Sequence, residues 1–242
     1  MGRSIMSTKR PRPLGWALPA LLLLLGGGCD RSLLDGGVHE GVIIYKLSFP
    51  EMDPNGLMAG MLPEQSELSF SEGLQSMDLS AGMGLFRTSM LINTPAHEVD
   101  YHMSMMGKNL YARYAPRDLE ASADMPPPVQ VVYSDARDTI AGYPCKKAYL
   151  IYRQMDRPEE TVWYTDAIRM PDPNWYSPFR DIPGVLMRYE LTQHHIRIRL
   201  EASSVTPGKV DPKKFAPKPG HEEVTPAVLD EQLDEVLGTF QQ

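Results

Sequence analysis

Cysteine is nearly absent from this chain: of 242 residues only Cys29 and Cys145 carry a thiol. At most one bridge could form, so stability must come from a packed core and not from disulfide staples. The familiar chemical signatures are missing too. There is no paired CxxC, no HExxH and no GxSxG, and the GMG at 82–84 lacks the rest of a phosphate-cradling loop. Together these absences argue against a zinc enzyme, a common serine hydrolase or a nucleotide-binding protein, and no cofactor is expected. No internal repeat is found. Basic blocks are also lacking, since Lys213-Lys214 and the Arg197/Arg199 pair are too few to offset 31 acidic residues. Nucleic acid is therefore not an expected partner.

The first 28 residues differ from the rest. Arg3, Lys9, Arg10 and Arg12 precede an uncharged stretch whose apolar run, Leu14 to Leu25, spans 12 residues and leads into Gly26-Gly27-Gly28-Cys29. A basic start, a short apolar run and small residues before a cut describe a secretory signal peptide, whereas a membrane-spanning helix needs about 20 apolar residues. A cysteine placed after small residues resembles the lipobox of bacterial lipoproteins, in which that cysteine is acylated and becomes the new N-terminus. The pattern's Leu stands one place early here, as Leu25, with Gly26 in its position. Cys29 is thus the expected lipidation site, residues 1–28 the signal peptide and residues 29–37 a lipidated tether. The implied location is the bacterial cell envelope, on the periplasmic face, with the membrane reached through the lipid. Ordinary cleavage and an uncleaved anchor are the alternatives; an unmodified Cys29 would leave a bridge to Cys145 conceivable. Loss of residues 1–28 removes four of the 24 basic residues and none of the 31 acidic ones, leaving a balance of −11.

Period-two alternation dominates the rest of the chain. Ile43, Tyr45, Leu47 and Phe49 alternate with Lys46 and Ser48; Phe86, Met90 and Ile92 with Arg87 and Ser89; Val99, Tyr101, Met103 and Met105 with Glu98, Asp100, His102 and Ser104; and Ile196, Ile198 and Leu200 with charged residues. Each is the pattern of a strand with one buried and one wet face. Further strands are expected at 67–70, 74–79, 109–114, 129–134, 145–152, 161–165 and 186–191. Turn residues at intervals near ten make the whole an antiparallel meander.

Helical signals are few. Residues 50–63 allow a short helix. The run TPAVLDEQLDEVLGTF is stronger: Thr225 is an N-cap, Pro226 a first helical residue, Gly238 a stop, and Val228, Leu229, Leu233, Val236 and Leu237 form an apolar stripe. Residues 116–128 and 209–223, rich in proline, read as loops. The fold class expected is α+β, mainly β, with a β domain over 38–206 and, over 207–242, a Pro-rich loop and an amphipathic C-terminal helix.

Several clusters invite chemistry and each has a plainer reading. Adjacent His194 and His195 would point to opposite faces of a strand, so one ion could not take both without a bulge. HMSMM places His102, Met103, Met105 and Met106 together, a set suited to copper(I); alternation separates Met103 and Met105 from His102 and Met106, and favours a soft core or a pliable apolar pocket. Cys145 stands beside Lys146 and shares a face with Lys147, which could activate a thiol; a lone strand cysteine is more often a small buried hydrophobe. IPGV at 182–185 reads as a type II turn, with Pro183 at the first corner and Gly184 supplying a positive φ at the second. Trp175, Tyr176 and Phe179, just before it, suit a partner-contacting or cleft-rim loop.

Three stretches in order, Gly142-Tyr143-Pro144-Cys145-Lys146-Lys147-Ala148, Val162-Trp163-Tyr164-Thr165 and Ile182-Pro183-Gly184-Val185-Leu186-Met187, resemble bacterial envelope proteins named for a GLPGLI motif and the related domain of unknown function 4412. Ile182 replaces the motif's Leu, Asp181 its first Gly, and Val185-Leu186 its Leu-Ile. The resemblance implies distant kinship with the LolA/LolB lipoprotein carriers: a curved antiparallel sheet forming an open half-barrel, with helices across its concave side. It supplies no catalytic residues. The expectation is a non-catalytic envelope lipoprotein binding a lipid, an acyl chain or another envelope protein. Phe86, Met90, Tyr101, Met103 and Met105 would line the apolar site. A closed structural or assembly module and a thiol-based redox protein using Cys145 are the rivals.

Overall fold

A computed structural model describes residues 1–2, 37–53, 56, 59–120, 130–153, 159–194 and 196–238. Cys29, nearly all of the leader and tether, and His195 lie outside them. Among the described residues every strand and helix lies in the compact unit Arg31–Gln242.

Among the described residues twelve strands join in one curved, unclosed sheet. A first meander runs outward through β1 (Glu40–Ser48), β2 (Gln65–Ser71), β3 (Leu74–Ala81), β4 (Phe86–Asn93), β5 (Glu98–Met105) and β6 (Lys108–Tyr114). A short helix, α1 (Pro116–Glu120), comes next. A second meander returns inward through β7 (Gln130–Ile140), β8 (Tyr143–Ile151), β9 (Glu159–Thr165), β10 (Val185–Gln193) and β11 (Ile196–Pro207), and β11 pairs with β1 at the centre. Along that seam Gly41 faces Pro207 and Ile43 faces Val205. The two-residue strand β12 (Glu222–Glu223) adds to β6 in parallel, and the helix α2 (Pro226–Gly238) ends the chain's described part. The second meander curls enough for Arg188 on β10 to reach Asp138 on β7, N to O 3.2 Å.

Two-residue turns set much of this register. Glu72-Gly73, Met106-Gly107 and Ala141-Gly142 each close a hairpin with both φ angles positive, 49° and 85°, 46° and 88°, 49° and 83°. Mirror-type turns of this kind match the right-handed twist of the strands they join, and glycine second makes them accessible. His194, with φ 50°, begins the β10–β11 turn and so stands off the strand to which alternation assigns it. Its ring nitrogen pairs with Asp234 of α2 at 2.5 Å.

Alternation predicts the buried residues of β1 well; in β4 and β5 it places Phe86, Ile92, Val99 and Met103 correctly, but Ser89, Asp100 and His102, which it assigns to the wet face, are buried too. The hairpin of β7 and β8 extends six residues beyond the strand expected at 129–134, because β7 is an edge strand exposed on most positions and carries no alternating signal. Residues 59–61 form only one 3₁₀ turn. Pro183-Gly184 is not a positive-φ turn, since Gly184 is absent from that region of φ/ψ space. Its need for glycine is steric: a Cβ there would stand 2.5 Å from the Thr165 carbonyl oxygen of β9.

The core has two parts on the same face of the sheet. One gathers Ile43, Tyr45, Phe70, Met187 and Tyr189 beneath the segment 168–184, whose Phe179 and Ile182 plug it. Buried Asn174 holds that segment by donating to the carbonyls of Ile182 and Gly184 at 2.8 and 2.9 Å. The other gathers Phe86, Met103 and Ala112 beneath Leu229 and Leu233 of α2. The helix begins as expected, with the Val228 amide donating to the Thr225 hydroxyl at 3.4 Å, but its buried stripe is narrower: Val228 is exposed.

Candidate ligand sites on the two faces of the sheet

Phe86, Met90, Tyr101, Met103 and Met105 do converge. Cross-strand pairing sets Phe86 against Met105, Thr88 against Met103 and Met90 against Tyr101, so β4 and β5 present one apolar surface. Phe86 and Met103 are buried beneath α2, and Tyr101 and Met105 pack around them. Burying Leu229 and Leu233 contributes about 1.5–3 kcal/mol each to the docking of α2. Polar pins add direction: the Tyr114 hydroxyl donates to Asp230 at 2.6 Å and Lys108 to Gln232 at 3.0 Å. A void of about 60 Å³ lies beside Leu237, Phe86, Ala81 and Ile196. An acyl chain needs several times that volume. The void lies at the end of the sheet where Met83, Leu85 and Met106 project, exposed, from the β3–β4 and β5–β6 turns.

The aromatic trio separates. Phe179 is 2% exposed and packs edge-on to Tyr189 at 5.3 Å, as part of the core. Trp175 and Tyr176 are half-buried; Trp175 tilts against His97 at 4.9 Å and donates to the Thr94 hydroxyl. Cys145 is fully buried, its thiol donating to the Tyr143 carbonyl at 3.4 Å. Burial pushes its pKa up, the reverse of what an attacking thiolate requires. Lys146 pairs with Asp166 and Lys147 lies over the Tyr149 ring, so both cations are engaged elsewhere. Among the described residues no group of three metal-ligating side chains forms.

The larger opening is on the opposite face, where alternation predicts solvent. Pairing aligns Glu67, Asp78, Ser89, His102 and Tyr111 in one row across β2 to β6. The Pro-rich segment after β11 lies back over that row. Asp211 caps a 3₁₀ turn, Pro212–Phe215, by accepting from the Lys213 amide at 3.0 Å. Lys214 then reaches Glu67 at 2.7 Å and Lys218 reaches Asp78 at 3.4 Å. His221 Nε2 lies 3.0 Å from the Ser104 hydroxyl, and its ring stands edge-on to His102 at 5.1 Å. Between strap and sheet is a cleft of about 610 Å³.

His102, on its floor, is 1% exposed and stacks on Tyr111. Burial, followed by the charge of His221, lowers its pKa to about 4, so the imidazole is neutral at neutral pH. Among the described residues neither of its ring nitrogens has a protein partner, nor do Ser89 Oγ and His221 Nδ1. Among the described residues no carboxylate hydrogen-bonds His221 Nδ1.

One signal in the sequence bears on this cleft. The outward positions of β2 to β5 include Ser69, Ser71, Ser76, Ser80, Ser89 and Ser104, short and uncharged where a solvated face usually carries Lys and Glu. Short polar residues suit a face that something covers.

No family model matches the chain, and no curated protein matches it. Among solved structures it is similar to PNGF-II, with 15% identity and a TM-score of 0.51 over 81% of this chain and 32% of that one. The chain thus spans about a third of PNGF-II's length, and the likeness is one of fold alone. LprF from Mycobacterium bovis aligns with 13% identity and a TM-score of 0.29, covering 75% of this chain and 92% of its own. An outer membrane lipoprotein-sorting protein domain from Vibrio parahaemolyticus aligns with 11% identity and a TM-score of 0.22, covering 77% and 93%. Neither of these two scores reaches the level of a shared fold.

Proposed function

We propose that this is a non-catalytic protein of the bacterial cell envelope, held at a membrane through lipidated Cys29, that binds an apolar chain between the sheet and α2. One observation carries the reading: an apolar surface built by β4 and β5 is closed by a single helix that fully buries only Leu229 and Leu233. Departure of that helix would enlarge the 60 Å³ void into a groove, and a bound chain would have to offset the roughly 3–6 kcal/mol that burying the two leucines contributes. Exposed Met83, Leu85 and Met106 at the same end support a surface that meets lipid or an apolar partner. The suppressed thiol of Cys145 argues against the thiol-based alternative.

Native mass spectrometry of the full-length protein released from detergent tests this. A non-covalent acyl-lipid adduct, distinct from the covalent mass at Cys29, is the expected result, and Leu237→Trp, which fills the void, should abolish it. An adduct-free protein, or an adduct indifferent to Leu237→Trp, sinks the reading. The small volume of the void favours a second one, in which α2 stays seated and this face is a closed core.

A further inference from the structure

The 610 Å³ cleft on the opposite face has the size of a small-molecule site and needs no movement to exist. We infer that it binds a neutral hydroxylated ligand, a sugar or sugar-like polyol. The inference does not rest on the apolar reading above, since it concerns other side chains on the other face.

Buried polar atoms are nearly always satisfied, and those that are not mark a place where something else belongs. Here four of them, Ser89 Oγ, both nitrogens of His102 and His221 Nδ1, cluster along one stretch of the cleft. A neutral imidazole offers one donor and one acceptor, and a serine hydroxyl offers both. Their complement is a group that also gives and takes hydrogen bonds, which is what a hydroxyl does.

Charge narrows the class further. The cleft carries Arg87, Lys214 and Lys218 against Glu67 and Asp78, and both lysines already hold those carboxylates. A phosphate, an anion, would face the like charges of Glu67 and Asp78. An amine cation, which only donates, would face Lys214 and Lys218. A polyol meets both signs without an unmatched charge. The strap that closes over it is pinned by Lys214, Lys218 and His221 to β2, β3 and β5, and His221 also offers the ligand its unpartnered Nδ1.

The test uses full-length protein in a zwitterionic detergent without a sugar headgroup, titrated calorimetrically with glucose, N-acetylglucosamine and maltose. Saturable binding of at least one is expected. His102→Phe, which keeps the ring's bulk and removes its nitrogens, should weaken it about tenfold or more. Ser89→Ala should weaken it several-fold and carries the test if His102→Phe lowers the melting temperature enough to compromise the fold. Inorganic phosphate and putrescine, titrated in parallel, should give no saturable heat. The inference is overturned if none of the three sugars binds at about 50 mM; ordered water alone filling the cleft would give that result. Binding unchanged by both substitutions, or saturable binding of phosphate or putrescine in place of the sugars, overturns it as well.

Discussion

Ser89 and Met90 are neighbours in sequence, as are His102 and Met103, yet each pair sends one side chain to either face of the same sheet. On the methionine side a helix lies across the strands and leaves about 60 Å³; on the serine and histidine side an extended strap leaves about 610 Å³. Length and polarity of the side chains account for the contrast. Methionine, phenylalanine and leucine interdigitate with a helix, and dispersion fills every gap they can reach. Serine is too short to meet a strap held off by two lysines, and polar walls tolerate an opening that water or a ligand occupies. Filling one face and opening the other is therefore written in alternate residues of the same strands.

That contrast can be broken from either side, and the largest effect should come from the filled face. Leu229→Ala is expected to cost about 3 kcal/mol in urea unfolding, because a fully buried leucine leaves a cavity between α2 and Met103. An effect below about 1 kcal/mol would show that α2 is not part of the cooperative core.

Next comes acid, which attacks the open face. His102 titrates near 4 in the folded protein against 6.5 ordinarily, with His221, Asp100, Lys218 and Asp78 around it. Its contribution is complete above about pH 6.5. As pH falls from about 6.5 to about 4, the unfolded chain takes up a proton that the folded one refuses, and up to about 3 kcal/mol of stability is lost. His102→Gln should flatten the stability profile in that window; a wild-type profile already flat there contradicts the buried neutral imidazole.

Smaller effects compare the two sets of pins. Tyr114→Phe removes the hydroxyl that holds Asp230 and should cost about 1 kcal/mol, with faster hydrogen exchange confined to α2. Lys214→Ala should cost less than about 1 kcal/mol, since the pair with Glu67 is partly exposed, and should speed exchange only in the strap. If Lys214→Ala also loosened α2, the two covers would be coupled through the sheet and the faces would not be independent.

Much of this arrangement is legible in the sequence alone. Alternation locates β1, β4 and β5 and the side of each that packs on the apolar core, and Thr225 and Pro226 mark the start of α2 to the residue. Those signals are local, and local signals survive in a sequence. The cleft depends on a long-range fact, that residues 209–223 fold back onto β2 to β5, and nothing within that segment states where it goes. Alternation therefore assigns His102 to solvent, although it is buried. Pro-Gly suits a turn, whereas the constraint on Gly184 is the close approach of β9, invisible until the strands are paired. Phe179 resembles a rim residue for the same reason: the segment 168–184 reads as a loop, and only its docking makes it core.

The seam between β1 and β11 carries a consequence for the order of assembly. Each meander is made of hairpins whose partners are close in sequence, and such contacts form early because little chain entropy is lost in closing them. The seam joins Gly41 to Pro207, residues from opposite ends of the domain, so its closure must wait until the second meander is complete. The strap and α2 come after β11 in the chain and cross back to the first meander, so they seat last of all. A chain emerging N-terminus first therefore displays the strap-covered face of β2 to β5 and the α2-covered surface of β4 to β6 open until residues 209–238 arrive. Pulse-labelled hydrogen exchange during refolding should accordingly protect the β2–β3 and β4–β5 hairpins before β1, and α2 after both.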